Sequence, residues 1–249
     1  MAERNALVAS IKTAAPGLFQ QVNKLADRWL EPLIADAEAR GPAQDKHIND
    51  PIWGTITLHP WEVALLDTEL VQRLRGVKQL GLAHLVFPTA THDRFSHACG
   101  VVEAVERMMD HIVRNTKARI RSGRSEDAPP LISDGERYLV RLAALIHDVG
   151  HGPFSHAIEP VVDKIFKEEL TALEKALREA IPRTDKVQVS EAVAVMVIAS
   201  CAFQALLARP LMDAIRAGSS VTDATFGLIA AIIGGTDGTA RGALGALVS

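Results

Sequence analysis

Ten consecutive residues hold most of the chemistry that this sequence offers: His147-Asp148-Val149-Gly150-His151-Gly152-Pro153-Phe154-Ser155-His156. The aspartate follows an almost wholly apolar run, Leu139, Val140, Leu142, Ala143, Ala144, Leu145 and Ile146. Burying an unpaired carboxylate there costs several kcal/mol, so Asp148 must be paired or coordinate a metal. Imidazole and carboxylate together suit a divalent first-row ion. The glycines permit an abrupt turn and let a ligand approach the backbone closely. A lone His-Asp dipeptide is common and usually just ends a helix. Three histidines and an aspartate around two glycines and a proline are hard to explain by packing.

A second group is His92-Asp93-Arg94-Phe95-Ser96-His97. It opens a helix, which puts His97 on the first turn, where it is either a satisfied surface residue or a ligand. His92-Asp93 repeats the dipeptide in a polar loop without an apolar run before it, and is expected to be a decoy.

These residues need helices to hold them. Residues 1 to 40 contain one or two amphipathic helices through Leu7, Ile11, Leu18, Val22, Leu25, Trp29 and Leu33, interrupted near Pro16-Gly17. Gly41-Pro42 to Asn49-Asp50-Pro51 forms a turn-rich boundary. Alternation over Thr55 to His59 predicts one short strand or hairpin. Leu65, Leu66, Leu70, Leu74 and Val77 predict one helix ending near Gly81. The next helix spans about 94 to 114, with Val101, Val102, Val105, Met108, Met109 and Ile112 as its stripe. Residues 121 to 135 read as a surface loop. Ser133 with Glu136 is a capping-box pattern that launches the apolar helix. Helices over 159 to 180 and 189 to 208 follow, and the tail from 217 is Gly/Ala-rich and weakly specified. The fold class is all-α. The expected division is an N-terminal helical extension (1–45), a metal-binding core (46–215) and a C-terminal segment (216–249).

Of the 249 residues, 48% are hydrophobic, 23% charged and only 4% aromatic, a balance that favours helices over sheets. A formal charge of −3 gives no sign of a nucleic-acid surface. The basic run Arg114, Lys117, Arg119, Arg121, Arg124 is expected to be a solvated helix end. Cys99 and Cys201 lie far apart among apolar neighbours, which fits a reduced compartment. The first thirty residues lack a continuous apolar run, and Phe226 to Ile233 is too short to span a bilayer. The chain is expected to be soluble and cytoplasmic, without a membrane partner.

A histidine followed fifty residues later by His-Asp on an apolar helix resembles the HD-domain superfamily. The finer likeness is to the deoxynucleoside triphosphate (dNTP) triphosphohydrolases. It rests on Ile48-Asn49-Asp50-Pro51-Ile52, Gly54, His59-Pro60, Asp67-Thr68, Gln72-Arg73-Leu74-Arg75, Lys78-Gln79-Leu80-Gly81, Val86-Phe87-Pro88, His92, Arg94-Phe95, His97 and Gly100. It covers roughly residues 46 to 160.

The resemblance implies an HD-domain helical bundle that hydrolyses dNTPs to deoxynucleoside and triphosphate. It implies one divalent ion (Mn, Fe, Mg, Zn or Ni) held by His97, His147 and Asp148. His151 and His156 match active-site histidines near the scissile phosphate, and Glu159, one turn on, is placed to orient His156. Gln79 and Arg94 match positions holding the sugar and the α-phosphate. Lys46, Asp67, Gln72 and Arg75 match positions that bind an activating nucleotide between subunits in the animal enzyme, which would call for a homo-oligomer. Two features depart from the pattern. The family's fourth ligand, an Asp on a later helix, has no counterpart in context, since Asp213, Asp223 and Asp237 stand in different surroundings. The sequence is therefore expected to be an incomplete version of a longer protein. Second, a usual His-Glu pair appears as Ser190-Glu191. Two alternatives stay open: a phosphodiesterase or nucleotidase acting on another phosphoester, and a non-catalytic nucleotide-binding module.

Overall fold

The computed structural model describes residues 2–35, 44–124, 126, 131–181, 186–216 and 219–234. The chain begins with α1 (Ala2–Ala14) and α2 (Pro16–Ala35), then a hairpin of β1 (Lys46–Asp50) and β2 (Gly54–Leu58). Two short helices follow, α3 (Pro60–Leu66) and α4 (Glu69–Gln72), with 3₁₀ turns at Arg73–Gly76 and Gly81–Leu85. Next come α5 (Arg94–Arg121), α6 (Asp134–Ile146), and 3₁₀ turns at His147–Gly150 and Ser155–Ala157. The remaining elements are α7 (Glu159–Ile165), α8 (Lys167–Ala180), α9 (Val189–Ile198), α10 (Cys201–Leu207), α11 (Asp213–Arg216) and α12 (Val221–Ile232).

The architecture is helical around α6, whose Leu139–Ile146 segment is buried throughout. Ser133 caps it: Ser133 Oγ accepts from the Glu136 backbone N–H at 3.3 Å, and Glu136 Oε2 accepts from Ser133 N at 2.9 Å. Helices α5, α11 and α12 pack against α6, while α9 lies against the His147–Gly150 turn. At the other end, α1 packs on α8 and α2 on α10 and α9, so Leu7, Ile11, Leu18, Val22 and Leu30 join the same core.

Several boundaries differ from expectation, each for a local reason. The hairpin has a first strand where turn residues suggested only a boundary. Asn49-Asp50-Pro51 is where it prepares to reverse, with Asp50 Oδ1 accepting from Ile52 N (2.8 Å) and Trp53 N (2.9 Å). The single helix expected up to Gly81 breaks at Asp67-Thr68, where Thr68 Oγ1 donates back to Leu65 O at 2.6 Å. The span 159–180 breaks at Phe166, and 189–208 breaks at Ser200, which caps α10 by accepting from Phe203 N at 3.2 Å. The helix from Arg94 runs to Arg121 rather than 114. Residues 221–232 of the supposedly weak tail form a buried helix, while Pro129, Pro130 and Asp237 lie outside the described residues. Small side chains let α12 approach α6: a Cβ on Gly227 would sit 3.1 Å from Leu139. Among the described residues, no single helix is long and apolar enough to cross a membrane.

A buried ion pair ties four elements together. Arg141 on α6 donates from Nε to Glu62 Oε1 (2.8 Å) and from Nη2 to Glu62 Oε2 (2.7 Å), with side chains 3% and 0% exposed. The same guanidinium reaches Thr57 O on β2 (2.9 Å) and Glu106 on α5 (3.2 Å). Replacing Arg141 with Met leaves the Glu62 carboxylate uncompensated and should cost about 3–5 kcal/mol, measured from urea unfolding midpoints. A loss below about 1 kcal/mol, the scale of exposed pairs, would mean that the pair does not organise this corner.

Candidate metal centre

Two helix ends deliver the central side chains. Asp93 caps α5 by accepting from Ser96 N at 2.8 Å, which sets Arg94 and His97 on the first turn. Its carboxylate is thus engaged in capping, and His92-Asp93 takes no part in the cluster below. At the end of α6 the chain tightens into the His147–Gly150 turn. His147 Nδ1 lies 2.8 Å from Ala144 O, a bond only a donor can make, so Nε2 keeps its lone pair. That Nε2 is 3.3 Å from His97 Nε2, while Asp148 Oδ1 and Oδ2 stand 3.5 Å and 3.8 Å from the two imidazoles. The ligand atoms of His97, His147 and Asp148 all fall within 4.8 Å of one another. Nitrogen, nitrogen and carboxylate oxygen at this spacing fit a divalent first-row ion. Burial, with help from the neighbouring His147, lowers the His97 pKa despite the opposing pull of Asp148, favouring the neutral ring that ligation requires.

Asp148 is 5% exposed. Burial alone would raise its pKa. The hydrogen bond with His151 and the positive fields of His147 and Arg94 outweigh burial, holding the carboxyl well below its usual range. Arg94, itself 2% exposed, donates from Nη1 to Asp148 Oδ2 at 2.8 Å, and His151 Nε2 lies 3.3 Å from Oδ1.

The turn after Asp148 is clamped from three sides. Arg73 donates from Nη1 to His151 O (2.8 Å) and from Nη2 to Val149 O, while its guanidinium stacks 4.6 Å from the Trp29 ring. Burial lowers its pKa to about 10, still far enough above neutrality to keep it charged. The sequence assigns Arg73 no role beyond its place in the Gln72-Arg73-Leu74-Arg75 run. The available signal was a cation on the same helical stripe as Leu70 and Val77. Gly150 meets α9: a Cβ there would collide with Ser190 O and lie 2.8 Å from Ala194 N. Phe154 and Ser155 have φ of 66° and 51°, a left-handed strain characteristic of functional loops. Ser155 Oγ holds them, accepting from Arg94 Nε (2.9 Å) and donating to Lys78 O (2.7 Å).

This strained turn brings His156 and Glu159 beside His151. His156 Nδ1 is 2.9 Å and His151 Nδ1 3.5 Å from Glu159 Oε1. Gln79 is nearby through its backbone, accepting from Arg94 Nη2 at 3.4 Å, and its buried Oε1 has no partner among the described residues. Lys46 and Asp67 face one another at 3.6 Å, and Arg75 Nε donates to Gln72 Oε1 at 2.9 Å while stacking on Phe95. Ser190 is buried on α9 against the metal-loop glycine.

Residues 94–199 match the family model for the HD domain. Over part of its length the chain is also similar to proteins named as dNTP triphosphohydrolases. It is 43% identical over 115 residues to deoxynucleoside triphosphate triphosphohydrolase SAMHD1 of Homo sapiens, covering 46% of this chain and 16% of the relative. It is 38% identical over 130 residues to the SAMHD1 homolog of Dictyostelium discoideum, covering 52% of this chain and 23% of that protein. It is also 40% identical over 122 residues to the uncharacterized protein YwfO of Bacillus subtilis (strain 168), covering 48% and 25%. The chain thus matches between 16% and 25% of the length of these relatives.

The tight contact at Gly150 makes a prediction. Gly150→Ala should push α9 away from the His147–Gly150 turn and destabilise the chain by about 1–3 kcal/mol or more, read from chemical denaturation. An unchanged midpoint would show that α9 and the turn separate freely.

Proposed function

We propose that this chain is the metal-binding part of a phosphohydrolase that converts a dNTP to a deoxynucleoside and triphosphate. The observation that carries this reading is the convergence of His97, His147 and Asp148 at the end of a buried helix. The match to proteins named as dNTP triphosphohydrolases supports the substrate. We take residues 46–215 as the metal-binding unit, a span that includes the matched stretch.

His97, His147 and Asp148 would hold the ion. When bound, a divalent ion there supplies Lewis-acid polarisation of a phosphoryl oxygen and a water of lowered pKa. The protein's own side chains do the rest. Glu159 Oε1, 2.9 Å from His156 Nδ1, fixes the proton on that nitrogen and turns Nε2 outward. His156, with a side chain 61% exposed, meets substrate there and gives a proton from Nε2 to the leaving 5′ oxygen. The Glu159 carboxylate stabilises the imidazolium that must precede this transfer. Arg94 and Gln79, joined by the bond from Arg94 Nη2 to the Gln79 carbonyl at 3.4 Å, are the residues assigned to the α-phosphate and the sugar.

A second reading, nucleotide binding without turnover, is favoured by one observation: position 190 carries a serine in place of the family's imidazole. Triphosphate release in the presence of Mn²⁺ separates the two. His147→Ala should lose the ion of the His97–His147–Asp148 site and activity together. His156→Ala should keep the metal and slow release by about 10²–10⁴-fold. Stoichiometric metal with no triphosphate from any dNTP would overturn the proposal, and release of monophosphate instead would move the protein to another phosphohydrolase class.

A further inference from the structure

The trio His151, His156 and Glu159 presents a problem of hydrogen positions. His151 Nε2 faces Asp148 Oδ1 at 3.3 Å, and a carboxylate only accepts, so in the neutral ring the proton sits on Nε2. Nδ1 is then a bare lone pair. Its side chain is 6% exposed, Nδ1 has no hydrogen-bond partner among the described residues, and it points toward Glu159 Oε1, another acceptor, at 3.5 Å. Whatever the position of its proton, His151 Nδ1 and Glu159 Oε1 converge on one small space. His156 Nδ1 lies 2.9 Å from the same oxygen, and the two imidazole planes stand at 89° with centroids 4.8 Å apart.

The ligand atoms of all three residues lie within 4.8 Å of one another. Ligands at zinc-like bond lengths of about 2.0–2.2 Å are separated by about 3–3.5 Å along the edges of their polyhedron. The 2.9 and 3.5 Å spacings fall at that scale. On its outer side the cluster opens into a cavity of about 430 Å³ bordered by His156, Glu159, Asp163 and Gln188, with room for water to complete a coordination shell. Two imidazoles and one carboxylate select zinc-like ions over magnesium or calcium.

We propose that His151 Nδ1, His156 Nδ1 and Glu159 Oε1 form a second divalent-cation site, separate from His97, His147 and Asp148, that takes a borderline ion such as Zn²⁺. The site stands on geometry alone. Its consequence rests on the proposed function: zinc here displaces the proton that Glu159 holds on His156 Nδ1 and removes His156 from proton transfer, so the second ion inhibits.

The test counts zinc on metal-stripped chain by equilibrium dialysis at neutral pH. Wild type should bind two zinc ions. Glu159→Gln, nearly isosteric, and His156→Ala, at an exposed position, should each bind one, while His147→Ala should keep the ion of the second trio. One zinc in wild type, or two in both Glu159→Gln and His156→Ala, overturns the second site, the buried gap then being filled by a proton. A separate arm adds zinc to Mn²⁺-loaded wild type and follows triphosphate. At saturating zinc, release should fall by about 10-fold or more, the lower end of a general acid's contribution. Undiminished release at two bound zinc ions overturns the inhibitory role. If no metal form releases triphosphate, the proposed function fails, and the zinc count still decides the site.

Discussion

One buried negative charge organises the centre of this molecule. Asp148 lies just past the end of α6, whose last five residues, Leu142 to Ile146, are all apolar, and there a carboxylate is tolerable only when surrounded by donors and positive charge. Its two oxygens divide the work: Oδ2 faces Arg94 and His97, both from the first turn of α5, while Oδ1 faces His147 and His151 on its own loop. The packing of α5 on α6 is therefore also the joining of the two halves of a candidate ion site. The Asp93 cap matters because it fixes where α5 starts, and a start displaced by one residue would turn both Arg94 and His97 away.

What could be read from sequence follows from how local the cause is. The cluster at 147–156 was visible because its ligating groups are close in sequence and follow an unmistakable apolar run. The Ser133–Glu136 cap was visible because capping depends on a three-residue spacing. The breaks at Thr68, Phe166 and Ser200 were missed because apolar periodicity continues across them, and a single side-chain or backbone bond decides the interruption. The α12 helix was missed because Gly227 lowers intrinsic helix preference and its run of small and apolar residues carries little pattern, whereas burial against α6 supplies the stabilisation. Arg73 shows the same limit from the other side. Its partners, Val149 O, His151 O and Trp29, are distant in sequence, and no local pattern foretells a guanidinium clasping the 147–151 loop.

Arg73 also gives the N-terminal helices a place in the argument. Trp29 on α2 stacks on the guanidinium whose nitrogens hold the backbone of the 147–151 loop. On its opposite side that loop meets α9 through Gly150, at a distance that tolerates no side chain. The loop is thus gripped between a cation and a helix backbone. This explains how it sustains two consecutive left-handed residues, Phe154 and Ser155, a few positions on. Strain of that kind persists only where the surroundings over-determine the backbone.

The charge balance at this centre bears on the ligand it suits. Arg94 and Asp148 neutralise each other, and the ligand forms of His97 and His147 are uncharged. Adding a divalent cation therefore leaves about two units of uncompensated positive charge in a partly water-excluded site. Glu159 offsets some of it, although its carboxylate is already turned toward His151 and His156. A group bearing several negative oxygens is the natural complement, and phosphate esters meet that description better than neutral substrates. By this reasoning Arg94 need not leave Asp148 for an anion to be favoured. Its pairing would keep the carboxylate from cancelling the charge of an ion bound there, so any attraction for an anion would follow from the buried pair as much as from any free cation.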